Sequence, residues 1–293
     1  MKYTLTLIGN SATPLSNELV AGASGTLPNS GTPDWLNPNL ACDIAFEADD
    51  AKASEAALRK KLANVKIDLA IQPSENRRKL LLVADMDSTI IQQECIDELA
   101  AELGLKDKIS DITARAMRGE IAFEPALRER VGLLKGLPLA SLESVYKNRI
   151  TEMPGGRTLT ATMRKHGAYC ALVSGGFTFF TERVAAAVGF DTNRANTLLF
   201  TDGKLSGDVG EPILGKQAKI DALVELRDAR NLPRHATLAV GDGANDLGMI
   251  EEAGLGVALH AKPVVAEAAD ARIDHGDLTG LLYLQGYKVS EFA

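Results

Sequence analysis

Three short apolar runs in this chain each stop at a group of acids, hydroxyls and glycines. Residues 80–84 end at Asp85, residues 168–173 end at Ser174-Gly175-Gly176, and residues 237–240 end at Gly241-Asp242-Gly243. Apolar runs without alternation fit strands buried on both faces of a parallel sheet. Residues 255–259 and 271–273 read as two more. Helical stretches intervene over 178–188 and 217–230; in the second, Ile220, Leu223, Val224 and Arg227 recur at helical spacing. Such alternation predicts an open, doubly wound, mostly parallel α/β sheet, Rossmann-like in plan. Ligands of these sheets gather beyond the carboxyl ends of the strands, where the three groups fall.

Two further regions break the pattern. Residues 1–75 carry period-two strands at 3–8, 42–46 and 66–71, a helical run at 52–65 and a Pro- and Asn-rich loop at 28–39. They predict a small α+β domain, separated near residues 72–78 from a core over 78–293. Between about 94 and 150 the strands stop, and four helical segments, broken near Gly104, Gly119 and Gly136-Leu137-Pro138, predict a helical cap inserted over the sheet's carboxyl edge. A hairpin is expected at 198–209, where Asp202-Gly203 supplies a tight turn.

With 293 residues, 45% of them hydrophobic, the chain can bury a sizeable core. A net charge of -7 leaves no positive field for a nucleic-acid backbone. No apolar run reaches the length of about 18 residues that a membrane span needs. Residues 1–8 alternate Thr and Leu instead of building a signal core. Cys42, Cys95 and Cys170 are too few and too scattered for a disulfide framework or a zinc site, which predicts a cytoplasmic protein.

The three strand ends suggest phosphoryl transfer. That chemistry needs a nucleophile, a cation to offset phosphate charge and an acid for the leaving oxygen. In Asp85-Met86-Asp87-Ser88-Thr89, Asp85 could attack phosphorus as a carboxylate, and Asp87 could protonate the departing alkoxide; an acidic surface loop is the plainer reading of a lone D-x-D. Ser174-Gly175-Gly176, entering the following helix, could approach an anion through backbone N–H groups, or simply make a tight turn. In Gly241-Asp242-Gly243-Ala244-Asn245-Asp246 two acids bracket an amide, offering the hard oxygen ligands that Mg²⁺ takes. Neither the G-x-G-x-x-G dinucleotide spacing nor a twelve-residue calcium loop is present. Lys219, on the helix before it, could reach a phosphate as a point charge, or be a solvated surface lysine. A cysteine phosphatase using Cys95 fails because residue 101 is Ala and not the needed Arg.

Taken together, these motifs in this order resemble the haloacid-dehalogenase-like superfamily of phosphatases across 78–293. The stretches 85–100, DMDSTIIQQECIDELA, and 127–135, LRERVGLLK, resemble the phosphoserine phosphatase family within it. The resemblance implies hydrolysis of O-phospho-L-serine through an aspartyl phosphate, the last step of phosphorylated serine biosynthesis. It makes Asp85 the nucleophile and Asp87 the acid and base. It assigns Mg²⁺ to Asp85, the backbone carbonyl of Asp87 and Asp242, with Asp246 and Gly243 in support, and the phosphate to Ser174, Gly175, Lys219 and Asn245. Glu94 would take the substrate ammonium and Arg130 its carboxylate, while Met117 and Phe123 close over it. Plainer roles stay open: a helix-start acid for Glu94, core packing for Met117 and Phe123, a surface pair for Arg128. Residues 1–75 resemble the amino-acid-binding ACT-like domains, one strand short, which leaves serine regulation or a homodimer open. The alternative activity is a related aspartyl-nucleophile phosphotransferase, or a phosphatase for another phospho-amino acid.

Overall fold

The computed structural model describes residues 1–117 and 120–293, the side chain of Met117 excepted. The chain opens with β1 (Lys2–Ile8), α1 (Asn17–Ser24), β2 (Asp34–Asn37), β3 (Ala41–Glu47), α2 (Ala51–Lys61) and β4 (Asp68–Pro73). The four strands make an antiparallel sheet in the order β2-β3-β1-β4, the split βαβ arrangement of a βαββαβ unit. The strand count is therefore complete. The missing strand, β2, lies inside the stretch read as loop. The helix expected over 52–65 stops at Lys61, in a last turn of Arg59, Lys60 and Lys61 that suits the negative end of its dipole.

Alternation splits this sheet into two unlike faces. Leu5, Leu7, Cys42, Ile44 and Leu69 pack with Val20 and Leu58 of α1 and α2. The other face carries the buried polar residues Thr6, Asp43, Asp68 and Gln72 and meets the rest of the chain. There Arg77 donates to both oxygens of Asp43 (2.5 and 3.2 Å), to the Thr6 hydroxyl, and to the carbonyls of Tyr283 and Leu284. Removing the guanidinium would leave the buried Asp43 carboxylate without its ion-pair partner. Arg77→Ala should cost about 3–5 kcal/mol, visible as a lower midpoint in urea; an unchanged midpoint would show that the seam holds without it.

The core begins with β5 (Leu81–Ala84), followed by four helices, α3 (Cys95–Glu102), α4 (Lys106–Met117), α5 (Phe123–Leu133) and α6 (Leu139–Asn148). It continues through α7 (Gly156–Lys165), β6 (Tyr169–Phe177), α8 (Thr178–Val188), β7 (Thr192–Asn196), and the hairpin β8 (Leu198–Thr201) and β9 (Lys204–Val209). It closes with α9 (Lys216–Asp228), β10 (Thr237–Gly241), α10 (Leu247–Glu252), β11 (Leu255–Leu259), α11 (Pro263–Ala268), β12 (Ala271–Ile273) and α12 (Gly280–Leu284). The predicted doubly wound sheet has six parallel strands in the order β12-β11-β10-β5-β6-β7. Leu81 and Val83 pack against Leu223 and Leu226 of α9, while Leu82 and Ala84 face the opposite cluster with Phe180 of α8 and Leu281 of α12. Both faces of β5 are buried, which is why its run does not alternate.

Counted from β5, the strand order is the doubly wound 3-2-1-4-5-6, whose ligand crevice opens where the order reverses. Here that point lies between β5 and β10. The cap helices bury one stripe each, Ile96 with Leu99 and Ala100, Ile109 and Ile112, Leu127 and Val131, Leu142 and Val145, at the spacings of an amphipathic helix. The hairpin turns on Asp202 and Gly203, both at positive φ (52° and 74°), as a two-residue turn of matching twist requires. It is tied to the cap, since Gly136 N–H donates to the Leu205 carbonyl and Leu205 N–H to that of Leu137. Among the described residues, no helix is long and apolar enough to cross a membrane.

Candidate active site

Asp85 leaves β5 with its own N–H bonded to the Val240 carbonyl, so the ends of β5 and β10 are stitched together. The loop then curls around one acceptor, the Met86 carbonyl, which takes the N–H groups of Thr89, Ile90 and Ile91. Met86, Ile90 and Ile91 anchor it in the core. The curl forces Ser88 to φ 55°, a left-handed conformation uncommon for a residue with a side chain and frequent at functional sites. The loop ends as Cys95 N–H donates to Asp87 Oδ1 at 2.9 Å, so a core carboxylate caps the first cap helix.

The loop after β10 is built around Asp246. Its Oδ2 accepts the N–H groups of Asp242 and Gly243, and its Oδ1 accepts Lys219 Nζ at 2.6 Å. Lys219, only 2% exposed, also meets Asp85 Oδ1 at 2.7 Å. It is a buried bridge between two strand ends, not a surface lysine. Burial alone would lower its pKa, but the two carboxylates outweigh it and hold the ammonium charged. Asp85 Oδ1 also takes Met86 N–H at 2.7 Å, while among the described residues Oδ2 has only a 3.5 Å contact from Asn245. Burial and then Asp246 raise the Asp85 pKa, against Lys219.

Oxygen atoms of Asp85, Asp242 and Asp246 lie within 4.8 Å of one another. Three acids against one lysine leave excess negative charge, an all-oxygen set that fits a hard divalent cation. Asp246 has both oxygens engaged within the protein, so Asp85 and Asp242 have more to offer an ion. The Thr89 hydroxyl steadies Asp242 from 3.2 Å. Burial, then Asp246 and Glu94, push the Asp242 carboxyl up to about 6.

Ser174-Gly175-Gly176 does not enter the helix as expected. β6 runs on to Phe177, with a register shift after Val173, and α8 starts at Thr178. Pairing continues because Asn196 of β7 holds the Gly175 carbonyl through Nδ2. Ser174 Oγ accepts Gly176 N–H at 2.8 Å and lies 3.5 Å from Asp87 Oδ2. A Cβ on Gly176 would stand 2.8 Å from that same oxygen. Gly176→Ala should therefore displace the Asp87 carboxylate and cut kcat/KM about 100-fold, the scale of a small misplacement, with little change in the urea midpoint. Undiminished turnover would mean that Asp87 has room to move without consequence. Burial and then Glu94 push the Asp87 carboxyl up to about 7, against the Cys95 N–H.

The cap supplies the rest. Glu94 sits at the start of α3 without capping it; its Oε1 instead accepts the Ser88 hydroxyl at 2.7 Å. Arg130, half-buried on α5, donates from Nη1 to Thr113 Oγ1 of α4 at 3.1 Å and from Nε to the Ala126 carbonyl. Burial lowers its pKa against Asp97, Glu94 and Asp87. The Phe123 ring lies over the backbone of the core: a Cβ on Gly175 or Gly215 would come within 3.4 or 3.3 Å of it. Arg128 is an exposed surface partner of Glu124 and Glu211. The Met117 side chain lies outside the described residues. Ser88 and Thr89 stood inside a motif already read as chemical, but Asp97 and Thr113 carried no sequence signal, because only the packing of α3, α4 and α5 brings them to Arg130.

Core and cap thus meet around an acidic cluster at a switch point, with one buried lysine among the carboxylates. A sequence profile of the haloacid dehalogenase-like hydrolases matches residues 82–251, and the chain belongs to that family. Within it, the chain falls among the phosphoserine phosphatases. It is 42% identical to the phosphoserine phosphatase of Archaeoglobus fulgidus, over 79% of this chain and 68% of the relative. Over its whole length it is similar to the structure of a HAD family hydrolase from Salmonella enterica serovar Typhi, with TM-score 0.86, 31% identity, and 97% and 98% of the two chains covered. A structure described as a phospho-aspartyl intermediate analogue of phosphoserine phosphatase matches with TM-score 0.66 and 40% identity, over 70% of this chain and 98% of that one.

Proposed function

We propose that the chain hydrolyses O-phospho-L-serine to L-serine and phosphate through an aspartyl phosphate on Asp85, with Mg²⁺ as cofactor. The reading is carried by the meeting of Asp85, Asp242 and Asp246 oxygens, with Lys219 on the first and last of them, beside a cap that offers Glu94 and Arg130. The phospho-aspartyl analogue in a 40% identical relative supports the same nucleophile. Asp85 attacks phosphorus as the ester P–O bond breaks, and Asp87 gives its proton to the departing serine oxygen. A carboxyl pushed up to about 7 suits a group that must give and take a proton near neutrality. Asp87 then takes a proton from water, whose oxygen attacks the acyl phosphate, releasing phosphate and restoring Asp85. Asp85, the Asp87 carbonyl and Asp242 would hold the ion, which offsets phosphate charge when bound. Ser174, Gly175, Lys219 and Asn245 face the phosphate, and Asp246 and Gly243 brace the loop.

Selectivity comes from the cap, with Glu94 toward the ammonium, Arg130 toward the carboxylate, and Phe123 and Met117 as apolar closure. Residues 1–75 form a domain of their own in this reading, 78–293 the phosphatase core, and 94–150 its cap. The three free, buried cysteines fit a reducing cytoplasm.

The test is phosphate release from a panel of phosphorylated amino acids, with and without Mg²⁺, where phosphoserine with Mg²⁺ should lead. Turnover unaffected by chelation, or no preference for phosphoserine, overturns the proposal. In the same assay Arg130→Ala should cost about 2–5 kcal/mol of transition-state binding on phosphoserine and far less on a plain phosphate monoester. Equal losses would remove Arg130 from recognition.

A further inference from the structure

The two charges proposed to recognise the substrate are each held by a hydroxyl from a different element. Ser88 Oγ donates to Glu94 Oε1 at 2.7 Å, which leaves Oε2 with no partner among the described residues. Ser88 pays a conformational penalty to stand there, at φ 55°, and its N–H bonds to the Gln93 carbonyl, closing the loop between nucleophile and cap. On the other side, Thr113 donates its hydroxyl proton to the Ile109 carbonyl at 3.0 Å, so that a lone pair of Oγ1 faces Arg130 Nη1 at 3.1 Å. With Nε on the Ala126 carbonyl, the guanidinium plane is fixed at two points, and Nη2 has no partner among the described residues. An exposed glutamate and a long arginine lose much side-chain entropy when a ligand fixes them; a prior hydrogen bond removes part of that cost.

We propose that Ser88 and Thr113 are positioning residues for substrate selection, Ser88 aiming Glu94 at an ammonium group and Thr113 aiming Arg130 at a carboxylate. Neither needs to touch the substrate. The inference rests on the reading of Glu94 and Arg130 given above, and it adds that the two halves of recognition are set separately: the ammonium half in the loop that follows β5, the carboxylate half between α4 and α5.

Four substrates separate the halves: phosphoserine, O-phosphoethanolamine (ammonium only), 3-phosphooxypropionate (carboxylate only) and ethyl phosphate (neither). In Ser88→Ala, the ratio of kcat/KM for phosphoethanolamine to that for ethyl phosphate should fall about tenfold, the scale of one hydrogen bond to a charged group, and chiefly through KM. The ratio for 3-phosphooxypropionate should hold. Thr113→Val should do the reverse, and Thr113→Ser, which keeps the oxygen, should restore it. Ser88→Gly separates hydroxyl from strain, because glycine adopts positive φ freely; it should match Ser88→Ala, and it serves if that variant fails to fold. Equal losses on all four substrates, or a glycine variant that selects like the parent, would overturn the inference. A parent enzyme that does not discriminate among the four would instead overturn the reading of Glu94 and Arg130.

Discussion

Asp85→Asn should abolish turnover, lowering kcat on the order of 10⁴-fold or more, the scale of losing a covalent nucleophile. The substitution changes one oxygen to an amide nitrogen of nearly the same size. Lys219 keeps its 2.6 Å bond to Asp246 and the backbone N–H of residue 85 keeps its bond to the Val240 carbonyl, so the two strand ends stay linked and the fold survives. What disappears is the negative charge that makes the carboxylate oxygen a nucleophile. Acid quench during steady-state turnover, followed by intact mass measurement, should find phosphoenzyme in the parent and none in the variant. A phosphorylated Asp85→Asn protein would move the nucleophile to another residue, with Asp87 the nearest candidate acid on the same loop. Phosphate release at the parent's rate would end the aspartyl-phosphate mechanism altogether.

The sequence was most informative where burial and chemistry coincide. β5, β10 and β11 run through the interior and carry no polar side chain beyond Thr237, so their apolar runs stand out and their ends can be read as a site. β7 shows the opposite case. Its residues Thr192, Asn193 and Arg194 are half-exposed, and it pairs on one side only, with β6. Such an edge strand needs no apolar run, so the sequence carries no mark of it. β2 was hidden for the same reason, behind Pro and Asn, with Leu36 as its one buried side chain. The end of β6 differs again: the apolar pattern stops at Val173, while the backbone goes on pairing because Asn196, some twenty residues later, holds the Gly175 carbonyl.

The same logic divides the site. Asp85, Asp87 and Asp242 could be read locally, since each follows a strand. Lys219 could not be told from a surface lysine, because its burial depends on α9 passing beneath two strand ends. Arg77 sits in the stretch read only as a boundary, yet it has the densest set of bonds at the seam between the N-terminal sheet and the core. Its partners reach from 71 residues before it to 207 after it. No window along the chain contains both.

Lys219→Met tests how far the active site is held together by its own charge. Methionine keeps the length and apolar stem of lysine and removes the ammonium. In the parent that ammonium lies between Asp85 and Asp246, with side chains 7% and 0% exposed. Without it the two carboxylates face each other in a buried pocket, and breaking such an ion pair from one side costs about 3–5 kcal/mol. The cost should depend on pH. Burial and Asp246 already raise the Asp85 pKa against Lys219, so losing the lysine raises it further. A carboxyl with a folded pKa above its unfolded value binds more protons in the folded state, and stability then falls as pH rises between the two values. The penalty should be complete above the raised folded value and fade as pH drops toward the ordinary carboxyl range of about 4. Urea titrations of parent and variant, both in chelator so that no cation replaces the lost charge, should show the largest gap near neutral pH and a narrowing gap toward pH 5. A gap that stayed constant, or widened in acid, would mean that the lysine acts through packing, and the electrostatic account of this site would fail with it.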